Sequence, residues 1–254
     1  MSTLSERLDQ MITKFETRAD LSDSDRQAVR DLPFQVQTRD AGRYIVREGE
    51  PPTQCVLIVS GLAYRHKITV EGTRQIVSIH IPGDFVDLEG ALLNFADHNC
   101  QALTRCEIAT VSKKSVEQLL AEHPQIGRAM WVDTLIDGSI HREWVLNVGR
   151  RNAHARLAHL LCEFARRLEV AGIAEEGGYE LPMTQEQLAD ALGLTPVHVN
   201  RTLKTLEREG LLKREKRHIT FPQWERLREA AGFNELYLHL DQVSPPPGEG
   251  SPLS

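Results

Sequence analysis

The chain has 254 residues, 41% of them hydrophobic and 26% charged, with a formal net charge of −6. That composition excludes a disordered chain, and a length about 1.7 times the ~150-residue prior for one domain points to two domains. Four scattered cysteines (Cys55, Cys100, Cys106 and Cys162) with no CxxC pair exclude a disulfide scaffold and a zinc knuckle. The polar start MSTLSERLDQ and an apolar run no longer than Cys55–Ala63 point to a cytoplasmic protein with no signal peptide and no membrane partner.

Helical patterns are expected first, near Ser5–Thr17 and Ser22–Leu32. Glycines then fall at Gly49, Gly61, Gly72 and Gly83, at spacings of 12, 11 and 11. Between them lie short runs rich in branched residues: Tyr44–Val46, Cys55–Val59 and Gln75–Ile81. In the last of these Val77, Ile79 and Ile81 alternate with Ser78 and His80, the period of a strand with one wet face. After a short helix at Leu88–Leu93, Ala102–Val111 reads as another strand. Regularly spaced short strands predict a β-sandwich or barrel with the helices packed beside it; unrelated hairpins in an α+β domain are the alternative.

From Ser115 the pattern turns helical and is interrupted at His123-Pro124. Proline is tolerated in a first turn, so Pro124 to about Val148 can be one helix of ~37 Å. Its apolar residues form more than one stripe, one for the barrel and one for a second copy of the chain. The expected homodimer seam is Ile126, Met130, Asp133, Ile140 and Trp144; burial of the helix within one subunit is the alternative. Asp133 and Asp137 either meet like charges across a two-fold axis or are solvated. Asn147–Asn152, with Gly149, is the candidate hinge, and the end from Asp241, with Ser244–Gly248, reads as a disordered tail.

His154–Val170 reads as a helix with Leu157, Leu160, Leu161, Phe164 and Leu168 on one face. Thr184 and Gln187 then form a Thr-x-x-Gln capping box that opens a short helix, and Gly193 ends it. Thr195 is an apt N-cap with Pro196 at N1, starting a second helix to about Glu209 that buries Val199, Leu203 and Leu206. Two short helices on a tight glycine turn predict a helix-turn-helix, whose second helix enters a major groove. From Thr195 to His218 there are seven basic residues against three acidic ones, a local +4 in a chain of −6. That is the footprint of phosphate contact, and Leu211–Phe221 reads as a hairpin wing with a basic tip. An ordinary helical hairpin with a solvated charged face is the alternative.

These segments together resemble the Crp–Fnr superfamily of bacterial transcription regulators. The resemblance rests on Gly49-Glu50, Ile58-Val59-Ser60-Gly61 and Pro82-Gly83-Asp84-Phe85 in the front half, and on MTQEQLADALGLTPVHVNRTLKTLEREGLL in the back half. It covers roughly Phe34–Phe221 and implies an α+β chain: an N-terminal β-roll (a cupin-like jelly roll), a long dimerisation helix and a C-terminal winged helix-turn-helix. The expected division is 1–122 roll and sensor domain with the N-terminal helices, 123–149 long helix, 150–233 DNA-binding domain and 234–254 tail. The resemblance implies a homodimer on palindromic double-stranded DNA, with Val197, His198, Asn200 and Arg201 facing bases or phosphates. Thr184, Gln185, Thr195, Lys204, Arg214, Lys216 and Arg217 complete the expected DNA-facing set. Well-known members carry Glu where this chain has Val197, which could touch a thymine methyl but accept nothing from cytosine.

RNA polymerase is an expected partner, and a small-molecule effector a possible one. Cyclic AMP is a poor candidate. Its family sites use Gly-Glu and an arginine, whereas this chain has Asp87-Leu88 and neither Lys nor Arg between Asp84 and Arg105. The alternative is a roll that senses another ligand, or a redox or haem cofactor. An N-terminal iron–sulfur cluster is disfavoured, because no cysteine precedes Cys55. Cys100 and Cys106 could form a redox pair only with Cα atoms within ~7 Å, and His80, His98 and His141 read as packing or surface residues. No metal, no cofactor and no enzymatic activity are expected.

Overall fold

The computed structural model describes residues 4–174 and 177–240. Two helices, α1 (Leu4–Glu16) and α2 (Asp23–Arg30), lead the chain. Seven antiparallel strands follow: β1 (Gln35–Arg39), β2 (Tyr44–Val46), β3 (Gln54–Ser60), β4 (Ala63–Ile68), β5 (Arg74–His80), β6 (Asn99–Ala102) and β7 (Cys106–Ser112). They form two sheets, ordered β1-β7-β3 and β2-β6-β4-β5, and so build the expected β-roll. The predicted Ala102–Val111 strand is divided between them: it ends one strand in the second sheet and starts another in the first.

Burial on both faces explains the continuous apolar run of β3. Cys55, Leu57 and Val59 pack on α1 and α2, while Val56 and Ile58 fill the roll with Val86, Cys100, Cys106 and Ile108. The wet face expected on β5 is likewise covered, since Ser78 and His80 are buried along with Ile76 and Ile79. Gly61 turns β3 into β4 at φ +77°, and a Cβ there would lie 2.3 Å from the Arg105 carbonyl oxygen, so only glycine fits.

After α3 (Lys113–Glu122), Pro124 starts α4 (Pro124–Arg150), a helix of 27 residues with no break at Gly149. The hinge is therefore narrower than Asn147–Asn152. Arg151 and Asn152 are extended, and Asn152 already caps α5 (Ala153–Val170) by accepting from the Ala155 amide. Ile136, Ile140 and Trp144 of α4 join Tyr64, Ile76 and Ile79 of the roll and Leu157, Leu161 and Phe164 of α5 in one apolar cluster. The same cluster runs on through β8 (Gly178–Glu180), α6 (Gln185–Leu192), α7 (Pro196–Arg208), β10 (His218–Thr220) and α8 (Trp224–Ala231), with β9 (Lys213–Glu215), all charged, outside it. Part of the expected tail is also folded. Leu238, in a 3-10 turn over Glu235–Leu238, is buried. The remainder, from Asp241, lies outside the described residues.

Polar contacts tie the two halves as well. Arg74 of β5 pairs with Asp190 of α6 through Nε at 2.7 Å and Nη2 at 2.6 Å. Asp84, in the turn after β5, receives Lys14 of α1 at 2.8 Å and Arg167 of α5 at 3.2 Å. Burial opposes ionisation of Asp84, but these two cations outweigh it and hold its carboxyl well below the usual range. Beside it, burial and the Arg65 guanidinium push the His80 imidazole down to about 3, against the weaker pull of Asp84 and Asp137.

An unfolded histidine titrates near 6.5, so between about pH 6.5 and pH 3 the unfolded chain binds the proton that folded His80 refuses. Folding stability then falls as pH falls, by about 1.4 kcal/mol per pH unit for this residue alone. Urea titrations at pH 7.5, 6.5 and 5.5 should show a shallower loss for His80→Gln than for the parent chain; parallel losses would contradict the assignment.

Candidate DNA interface

The Thr184 hydroxyl accepts from the Gln187 amide at 3.2 Å and the Gln187 side chain accepts from the Thr184 amide at 2.9 Å, closing the expected capping box of α6. Gly193 ends that helix at φ 61°, in the left-handed region. Thr195 then caps α7 by accepting from His198 N at 3.2 Å, with Pro196 in the first turn. One face of α7 is sealed by Val199, Thr202, Leu203 and Leu206, which fixes the direction of the opposite face.

That opposite face lines an open groove. Val197, Asn200, Arg201, Lys204 and Arg208 recur at spacings of three or four along it, and Gln185 of α6 stands at its edge. Val197 is 81% exposed. Arg201 and Lys204 have no carboxylate partner among the described residues, and Arg208 bonds only the Thr205 hydroxyl. Arg208 was not in the expected set, although it lies four residues after Lys204 and so shares its face. His198 stands outside the groove, with its carbonyl taken by the Thr202 hydroxyl at 2.9 Å. Thr184 and Thr195 serve as caps.

The wing divides its basic residues. Strands β8, β10 and β9 form its three-stranded sheet, and the two residues between β9 and β10 are Lys216 and Arg217. Lys216 sits at φ 58°, unusual for a residue with a side chain, and has no carboxylate partner among the described residues. Arg217 donates to the Pro182 carbonyl at 2.9 Å and lies 3.6 Å from Glu180. Arg214 differs from expectation. Its Nε and Nη2 clamp both oxygens of Glu207 at 2.8 and 2.7 Å, and that bidentate bond keeps the Glu207 carboxyl below its ordinary pKa. The charge of Arg214 is spent on joining wing to helix.

The long helix departs further from expectation. Ile126, Met130, Ile140 and Trp144 are buried within the subunit, and Asp133 pairs there with Lys14 at 2.7 Å and Arg18 at 3.7 Å. None of the five remains available to a second copy. Asp137 lies 3.2 Å from Arg65, with its side chain 35% exposed. The sequence held two apolar stripes, and α1 and α5 claim the one first taken for the seam. The open face carries Arg128, Trp131, Leu135, Gly138, Arg142, Val145 and Gly149, alternately three and four residues apart. Trp131, Leu135 and Val145 are 71%, 59% and 74% exposed.

Inside the roll, Asp87 is buried with Oδ1 accepting from the Val56 amide at 2.9 Å, and Arg65 donates to the Val86 carbonyl at 2.9 Å. The four cysteines are buried and none is in a disulfide, and burial pushes the Cys106 thiol up. Among the described residues no three His, Cys, Asp or Glu side chains converge on a metal position, and no helix is long and apolar enough to cross a membrane.

Comparison with known proteins places both halves. Residues 36–123 match the cyclic nucleotide-binding domain family, and residues 155–230 match the Crp-like helix-turn-helix domain family. The transcriptional activator protein FnrL of Cereibacter sphaeroides is 32% identical over 76% of this chain and 78% of its own length. The nitrogen fixation regulation protein FixK of Bradyrhizobium diazoefficiens is 30% identical over 68% of this chain and 71% of its own. The solved structure of FixK2 from Bradyrhizobium japonicum superposes with a TM-score of 0.72 at 28% identity, covering 78% of this chain and 98% of that one.

The wing separates two outcomes. Lys216→Ala should lower affinity for all duplexes alike and reduce the slope of log K against log salt by about one, whereas Arg214→Ala should leave that slope unchanged. Filter binding from 50 to 200 mM salt reads the difference.

Proposed function

This chain belongs to the Crp–Fnr family of transcription regulators, and from that premise we propose that α7 reads the major groove with Arg201 and Val197. The observation that carries this is the α7 face itself: three cations without a carboxylate partner among the described residues, flanking an exposed valine. Arg201 can pair with guanine N7 and O6, and Val197 can cover a thymine methyl. Lys204, Arg208 and Lys216 supply sequence-independent phosphate contacts. An exposed face with a 3.5-residue repeat is the pattern of a coiled-coil seam, so Trp131, Leu135 and Val145 pair with their copies in a homodimer. Two recognition helices related by that dyad require half-sites about one helical turn apart. RNA polymerase is the further partner of this reading.

Cyclic AMP is not the effector in this reading. The carboxylate at the position of the usual Gly-Glu pair, Asp87, is already bonded to the backbone of β3, and no Lys or Arg follows it before Arg105.

A selection of bound duplexes from a random pool tests the base contacts. Arg201→Ala should lose roughly 1–3 kcal/mol of specific binding and relax one position of each half-site; an unchanged motif would overturn the assignment. Sedimentation equilibrium tests the seam. Trp131→Glu should give folded monomers, whereas Ile140→Glu, inside the subunit core, should lower folding stability instead. A Trp131→Glu protein that stays dimeric would exclude this face.

A further inference from the structure

Where α1, the turn after β5, α4, α5 and the C-terminal residues Leu238 and Leu240 meet, they leave a partly enclosed cavity of about 400 Å³. It lies beside the roll's own interior, which Val56, Ile58, Val86 and Ile108 fill. Phe85, Leu88, Ile136 and Ile140 give it an apolar wall, and charged side chains with several threonines line much of the rest. Its volume falls within the range of small-molecule sites.

The charges are unevenly matched. Lys14 holds Asp84 at 2.8 Å and Asp133 at 2.7 Å; Arg65 holds Asp137 and Arg167 holds Asp84, each at 3.2 Å. Asp9, also on the cavity wall, is taken by Arg30 at 2.8 Å. Arg18 is left with the far oxygen of Asp133 at 3.7 Å and, through Nη1, the His239 carbonyl at 2.9 Å. Its side chain is 9% exposed, and its buried Nε donates to nothing among the described residues. A guanidinium has five donors in a planar fork suited to a carboxylate, and burying it under-paired is costly. His80, also on the wall, has a buried Nε2 with no partner among the described residues.

We propose that this cleft is a binding site for a small organic acid, an apolar body bearing one carboxylate, with Arg18 as the carboxylate's partner and the Phe85–Ile136–Ile140 wall receiving the body. The site stands on its own geometry, and its regulatory consequence rests on the DNA-binding reading above. Asp84 joins Lys14 of α1 to Arg167 of α5 at the edge of the cleft, so an acid that draws Lys14 or Arg18 away from their carboxylates also alters the link to the DNA-binding half.

Titration calorimetry and thermal denaturation of the full chain without DNA test the site with octanoate, 4-phenylbutyrate and benzoate. Octanol and sulfate serve as controls for the apolar body alone and the charge alone. At least one acid should bind and raise Tm where both controls do not. Arg18→Gln should weaken that binding about tenfold or more, the scale of a charge-assisted pair. Asp133→Asn should tighten it, because both cations lose their competing carboxylate. Opposite signs separate the two variants from simple loss of fold, and tightening by Asp133→Asn alone supports the site if Arg18→Gln does not fold. The proposal is overturned if all three acids bind no better than octanol and sulfate, or if Asp133→Asn weakens them. Duplex affinity, measured separately without acid, decides the DNA-binding reading by itself.

Discussion

A single long helix answers to two neighbours at once, and the rest of the architecture follows from that division. Ile126, Met130, Ile136, Ile140 and Trp144 turn one side of α4 into the subunit's own core, held by the roll, α1 and α5. Trp131, Leu135 and Val145 leave the other side open. Two such stripes stay apart over 27 residues because each recurs close to the 3.6-residue turn of the helix. The buried stripe follows the roll and α5, while the open stripe keeps the 3.5-residue spacing of a helix meeting a parallel copy. Because α4 ends one residue before α5 begins its cap, little slack separates that open face from the DNA-binding half.

Rigidity in the second half is built from local rules. Capping boxes and N-caps begin α6 and α7, a left-handed glycine joins them, and a buried face of Val199, Leu203 and Leu206 orients the cations of the other face. The Arg214–Glu207 clamp then fixes the wing to α7, so a basic residue spent within the subunit positions one, Lys216, that is not. The halves are further locked by Arg74 with Asp190 and by Asp84 between Lys14 and Arg167. Arg74–Asp190 and Asp84–Arg167 cross from one half to the other, while Lys14–Asp84 ties α1 to the roll, so a shift between the halves must break ion pairs.

How much of this was legible in the amino acids differs by element. The helix-turn-helix was nearly all readable, because caps, the Gly193 turn and the Pro196 start are local and carry their own stereochemistry. The roll was readable in outline through its glycine spacing. Its details were not, since β3 and β5 are buried on both faces and their patterns lose the alternation that marks a half-exposed strand. Strand β1, with Gln35, Gln37 and Thr38 and only partial burial, offered no apolar signal at all. The allocation of the α4 faces was hidden for a different reason. Periodicity reveals that α4 has two apolar faces but not which neighbour takes which, and the ion pairs of Asp133 and Asp137 join residues more than 70 positions apart. The use made of Arg214 was hidden as well, because its charge reads as free until the wing folds it back onto Glu207, seven residues earlier.

In the proposed dimer the open face of α4 holds the two recognition helices at a set separation, and spacing is therefore the most direct observable. In a gel-shift titration of a selected operator, inserting about 5 base pairs, half a helical turn, between its half-sites should lower affinity by about two orders of magnitude. Inserting a full turn should restore part of it only if the duplex bends to fit. Affinity that is indifferent to the half-turn insertion would show that each subunit binds alone, and that no dyad through Trp131, Leu135 and Val145 governs recognition.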